Sequence, residues 1–187
     1  MRRSEILYLS HHFDLYTNLV GDAGMHDAFE KSITQLFTID KCKWKMIGNR
    51  TYAEGKWTIK EILQHIADME RILSYHVLLI SRNDSYSINI FDKNIFVNNP
   101  IANNRSLADL IKEILTIRKS TYSLFKSFPE NVLQSKPIKN APEITLLTTG
   151  FNIIGHQLHH FQIIENLYFP LLKDPGQNYF FMNCNLN

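Results

Sequence analysis

Trp57-Thr58-Ile59-Lys60-Glu61-Ile62-Leu63-Gln64-His65-Ile66-Ala67-Asp68-Met69-Glu70-Arg71 is the stretch that decides the fold class. Thr58 followed by Glu61 is a capping box. The Thr hydroxyl accepts from the N–H three residues on, the Glu carboxylate accepts from the Thr N–H, and two donors exposed at a helix start are satisfied. From there Ile59, Ile62, Leu63, Ile66, Met69, Leu73, Val77 and Ile80 recur at the helical spacing of three and four, to an end near Arg82. Trp57, just before the cap, is placed to staple onto the first turn. A helix with one long apolar stripe has to bury it against other elements.

The same period appears on both sides. Upstream, Met25, Phe29, Ile33, Leu36 and Phe37 predict a helix over 23–40, preceded by a less regular stretch over 4–20. Downstream, Ser106 with Asp109 three residues on caps a third helix. It carries Leu107, Leu110, Ile111, Ile114, Leu115, Ile117, Tyr122, Leu124 and Phe125 and ends before Pro129. A fourth runs from about Ile144 to Phe169 and stops at Pro170. Residues 83–104, rich in Asn and Asp and containing Pro100, read as a long structured loop. The expectation is an all-α four-helix bundle with long inter-helix connections, so a simple up-down-up-down order does not follow. It divides into a lead-in over 1–22, the bundle over 23–170 and a tail over 171–187.

The 187 residues and an apolar fraction of 44% are enough for one domain with a proper core. The net charge of +2 comes from 20 basic and 18 acidic residues mixed along the chain, without a like-charge run, so nucleic acid is not an expected partner. No window approaches the ~20 apolar residues of a bilayer span. The basic start Met1-Arg2-Arg3 is followed by Glu5, His11, His12 and Asp14 rather than by a signal-like apolar core. Cys42 and Cys184 stand far apart, which gives neither a disulfide framework nor a zinc-ribbon spacing. Together these features suit a protein of the reducing cytoplasm with no membrane contact.

The chemistry-bearing stretch is Gly155-His156-Gln157-Leu158-His159-His160-Phe161-Gln162-Ile163-Ile164. On a helix, His156 and His160 lie one above the other and can present two ring nitrogens to one point. His65, on a separate helix, can supply a third. Three neutral imidazoles with an open position describe a catalytic-type divalent metal site. The competing reading is three core or boundary histidines with one hydrogen bond each, and spacing alone does not separate the two. His159 faces about 60° away from His156 and reads as outer shell or surface. Glu61 and Asp68 flank His65, and Gln157 and Gln162 flank the pair; these are outer-shell candidates, with solvated side chains as the alternative. Residue 157 is Gln, so the general base of a His-Glu-x-x-His metalloprotease is missing. No Gly-rich phosphate loop and no Gly-x-Ser-x-Gly elbow occurs.

Three of these stretches carry a family resemblance. Tyr52 to Arg71, Arg105-Ser106-Leu107-Ala108-Asp109-Leu110 and Gly155-His156-Gln157-Leu158-His159-His160 resemble the second-, third- and fourth-helix signatures of the DinB/YfiT-like superfamily, in order and over most of 20–170. The resemblance implies a four-helix bundle, often a homodimer, with a divalent metal such as zinc or nickel held by His65, His156 and His160. It implies a small-molecule substrate and a metal-dependent enzyme of the low-molecular-weight-thiol S-transferase type, using bacillithiol or mycothiol. Metal-dependent hydrolysis, or metal or ligand binding without catalysis, are its alternatives. Residues 83–104 match the family only through Phe91-Asp92 and Phe96-Val97, so the substrate does not carry over.

Overall fold

Three of the four long helices begin at a side-chain cap that the sequence supplies. The computed structural model describes residues 1–7, 15–82, 100–135 and 145–173. Its α-helices are α1 (Met25–Phe37), α2 (Lys41–Ile47), α3 (Ile59–Ser81), α4 (Leu107–Lys126), α5 (Glu130–Leu133) and α6 (Leu146–Ile163). In α3 the capping box is complete: the Thr58 hydroxyl accepts from Glu61 N–H at 3.2 Å and the Glu61 carboxylate accepts from Thr58 N–H at 2.7 Å. Ser106 accepts from the Asp109 N–H at the head of α4. Thr145 caps α6 through the Thr148 N–H. Truncating such a cap costs about 1 kcal/mol.

Helices α1, α3, α4 and α6 make the bundle, and their side-chain pairs give its topology. Along α3, Gln64, Arg71, Glu70 and Ser74 meet Arg105, Glu113, Arg118 and Thr121 of the α4 side, so α3 and α4 run parallel. The start of α3 lies at the end of α6, where Tyr168 donates to the Trp57 carbonyl, so this pair is antiparallel. Ser32 of α1 bonds Arg118 while Phe29 packs on Phe125, which makes α1 antiparallel to α4. Met25 lies at Gly150 and Gln35 at Gln157, so α1 is parallel to α6. The order is up-down-down-up, with α1 packed on α4 and α6, and α3 packed on the same two. Consecutive helices α1 and α3 are therefore diagonal, and α3 and α4 are parallel neighbours, so the chain has to cross the bundle in one case and run back along it in the other, and both connections are long.

The core is two apolar clusters with a polar layer between them. One gathers Leu36, Ile62, Leu63, Ile66, Leu110, Ile114 and Phe161; the other gathers Met25, Phe29, Val77, Ile80, Phe125 and Phe151. Between them along the four helices sit Ser32, Glu70, Arg118, Thr121, His156, Gln157 and His160, all buried. Arg118 is 0% exposed and Glu70 2%, and they form a forked ion pair with N···O distances of 2.8, 2.9 and 3.0 Å. The remaining Arg118 nitrogen donates to Ser32 Oγ at 2.6 Å, and Ser32 donates to the Phe29 carbonyl at 2.7 Å. A guanidinium taken out of water needs this degree of satisfaction, because an unpaired buried charge costs several kcal/mol.

Three expectations shift. Phe37 is 63% exposed, because the α1 face that meets the bundle runs through Met25, Phe29, Ser32 and Leu36, and Phe37 lies a further 100° around. The fourth helix leaves α geometry at Ile163, passes through a π turn at Ile164–Tyr168 and ends in a 3-10 turn at Phe169–Lys173. Pro170, which lacks a donor N–H, thus sits inside the terminal turn rather than at the break. The predicted loop over 83–104 ends in a 3-10 turn at Pro100–Asn104, and its first 17 residues lie outside the described residues, as do His11, His12 and the tail aromatics with Cys184. Among the described residues, no helix is long and apolar enough to cross a membrane.

Candidate metal centre

His65 projects from the second turn of α3, and His156 and His160 from successive turns of α6. Because α3 and α6 are antiparallel neighbours, the three rings meet. His156 Nε2 lies 3.1 Å from His65 Nε2 and 3.1 Å from His160 Nε2, and one ligand atom from each residue lies within 4.8 Å of the others. His156 and His160 are each 7% exposed, and His65 is half-buried. Residues 91 positions apart in the chain are thereby brought to one point.

The arrangement fits a cation. Ring nitrogens on one divalent ion at about 2.0–2.1 Å stand about 2.9–3.4 Å from each other, the range in which the 3.1 Å contacts fall. A neutral imidazole nitrogen carries either one proton or one lone pair, so His156 Nε2 cannot satisfy both neighbours by hydrogen bonding. Burial holds His156 well below the usual histidine range, reinforced by His160, His65, His159 and Arg118; burial with His65 and His159 brings His160 down to about 3. Both rings are therefore neutral at physiological pH, which is the state that ligates.

Two aromatic residues outside the histidine pattern shape the centre, Trp57, expected only as a staple on the first turn, and Tyr16. Trp57 lies over it, its ring 4.8 Å from that of His65 and 6.2 Å from that of His160 in a near-parallel stack. The Tyr168 hydroxyl holds the Trp57 carbonyl, and burial with Tyr52 and Glu61 nearby pushes that phenol up to about 12, so it remains a donor. On the other side Tyr16 packs edge-on against His156 at 5.2 Å and His159 at 5.1 Å. Its approach explains Gly155: a Cβ there would fall 1.9 Å from the Tyr16 carbonyl oxygen. Close backbone packing, rather than space for a ligand, is what this glycine provides. Tyr16 meets rings 140 or more positions away in the chain, so no local pattern could have signalled it, whereas Trp57 stands only eight positions before His65.

The flanking polar residues have other partners. Glu61 accepts from Thr58 N–H and from Asn103, and Asp68 accepts from Gln64 and pairs with Arg71. Gln157 turns to α1, donating to the Ser32 carbonyl at 3.2 Å and to Gln35 Oε1 at 3.0 Å. His159 stands beside His160, ring centroids 5.2 Å apart, and burial lowers its pKa. Nδ1 of His160 is buried with no hydrogen-bond partner among the described residues. His76, on the far half of α3, is not part of the cluster.

Comparison with known proteins agrees with this architecture. YfiT from Bacillus subtilis, described as a probable metal-dependent hydrolase with an unusual four-helix bundle topology, matches with a TM-score of 0.62 at 13% identity, over 88% of this chain and 91% of that one. At that identity the likeness is one of fold. No curated protein matches the chain. The model of the DinB superfamily matches residues 45–164, which include α3, α4, all of α6 and the three histidines. The chain belongs to the DinB superfamily.

Proposed function

We propose that the chain is a metal-dependent enzyme in which His65, His156 and His160 hold a divalent ion, with hydrolysis of a small molecule as the leading chemistry. The convergence of three ring nitrogens, two of them 3.1 Å from the third, carries this reading. A bound ion of the zinc or nickel type would supply Lewis acidity, polarising a substrate oxygen or lowering the pKa of water. The chain supplies the rest. Antiparallel packing of α3 on α6 sets the ligand spacing before any ion arrives, and burial keeps the rings unprotonated. Trp57 and Tyr16 wall the site and limit water to the open side. Three protein ligands leave positions for substrate, as catalytic rather than structural sites do.

Hydrolysis leads because the fold match is to a protein described as a probable metal-dependent hydrolase. A low-molecular-weight thiol using the same ion is the competing chemistry. The test is elemental analysis of freshly purified, untagged protein and its His65→Ala, His156→Ala and His160→Ala variants, followed by turnover assays on metal-loaded and stripped protein. The expected result is near-stoichiometric metal, lost in the variants with helical content retained, and metal-dependent hydrolysis of activated esters or amides. Metal-dependent, thiol-dependent consumption of a chlorobimane without hydrolysis would replace the hydrolase reading by the transferase one. No metal after reconstitution at neutral pH would overturn both.

A further inference from the structure

On the side of α6 facing away from the imidazoles, the chain leaves a cavity of about 250 Å³ between α1, α6 and the 3-10 turn at Asn18–Val20. Ile154 and Leu158 form its floor, and at 100° per residue they point roughly opposite to His156. Small residues make the space: Ala23 and Ala28 stand where larger side chains would fill it. An apolar void of roughly 150 Å³ already takes up a benzene-sized molecule, so this one accommodates a medium-length aliphatic chain.

The polar groups on its wall select for charge. Ser32 is fully used, accepting from Arg118 and donating to Phe29. Gln35 spends its Oε1 on the Gln157 amide at 3.0 Å, which fixes the orientation of its carboxamide and leaves the NH₂ as a donor. Lys31, exposed at the rim one turn before Gln35 on the same face of α1, makes no ion pair among the described residues. Both unclaimed groups donate, and one is cationic. From this we infer that the cavity is a binding site for a small monocarboxylate with an aliphatic body, its chain on Ile154 and Leu158 and its carboxylate at Lys31 and Gln35, separate from the metal centre.

The probe is octanoate, titrated calorimetrically into the full chain stripped of metal, with 1-octanol and octylamine as neutral and cationic counterparts. Octanoate is expected to bind saturably and at least about fivefold more tightly than either counterpart, as one charge-assisted contact implies. Lys31→Ala should weaken it by a similar factor. Ala28→Leu, which fills the cavity, should abolish it. Gln35→Glu preserves an acceptor for Gln157 while removing the donor and adding negative charge, and should also abolish it without disturbing the fold. His160→Ala should leave the affinity unchanged. Loss of binding in His160→Ala would place the carboxylate at the histidines and overturn the assignment. So would equal affinity for octanol, an unchanged affinity in Gln35→Glu, or no saturable binding at millimolar octanoate.

Discussion

Replacing Arg118 by Met tests the polar layer directly. In the native bundle its guanidinium makes three contacts to the Glu70 carboxylate and one to Ser32, with both charges out of water. Arg118→Met leaves Glu70, 2% exposed, as an uncompensated buried carboxylate, for which removal of one partner costs about 3–5 kcal/mol. For a chain of this size each kcal/mol moves Tm by about 2–4 °C, so the melting point should fall by roughly 6–20 °C. Glu70→Met should cost a comparable amount through the stranded guanidinium. The double variant removes both charges and fills the space with methylenes, and buried pairs replaced this way are often neutral. It should therefore lie within about 2 kcal/mol of the parent, with a coupling of several kcal/mol in the double-mutant cycle. Urea unfolding at pH 7 on all four proteins measures this. Additive losses, or single variants that each cost under about 1 kcal/mol, would refute the view that the pair acts as one buried unit.

Other outcomes follow from the geometry. Gly155→Ala places a Cβ against Tyr16 backbone, which cannot yield without lifting the 15–20 segment, whereas Gly150→Ala meets the Met25 terminus at 2.7 Å and the Phe125 ring edge at 2.9 Å. Thermal melts should show Gly155→Ala losing at least about 2–3 kcal/mol and Gly150→Ala clearly less; the reverse order would contradict the packing described. His156 and His160 have folded pKa values depressed below the free-histidine range, so the unfolded chain binds more protons below about pH 6.5. Metal-free protein should hold its stability above that pH and lose up to about 2.7 kcal/mol per pH unit below it, and a flat urea midpoint between pH 7 and 5 would contradict neutral buried rings. Trp57 stands 4.8 Å from the His65 ring, so nickel should quench its emission, and Trp57→Phe should abolish the response while Trp44 remains. A response that survives in Trp57→Phe would place the ion elsewhere.

Local signals carried the helices well and their assembly poorly. The caps at Thr58 and Ser106 and the apolar stripe of α3 are short-range chemistry, and the structure reproduces them nearly residue for residue. The His156–His160 pair is likewise helix geometry. That His65 joins them depends on which helices are neighbours, a property of the topology and of no single segment. The Glu70–Arg118 pair was invisible for the same reason: both residues look like ordinary charged positions until α3 and α4 are laid parallel. The reason for Gly155 is the Tyr16 backbone, which lies in a stretch without a clear period, so nothing local to the helix identifies it. The π turn at Ile164–Tyr168 has no propensity signature, and only the proline beyond it hints that the regular pattern must stop.

The up-down-down-up order also bears on how the chain is made. Helix α1 packs on α4 and α6 rather than on α3, and His65 of α3 waits for the histidines of α6. During synthesis, α1 and α3 emerge with no mutual face to hide, and α3 first finds cover when α4 has cleared the exit tunnel. Neither the first helix nor the metal ligands can be completed until the last helix has been released. A bundle wired this way closes late, with the faces of α1 and α3 that meet α6 waiting in the open until then, and it depends on that final helix more than on any hairpin.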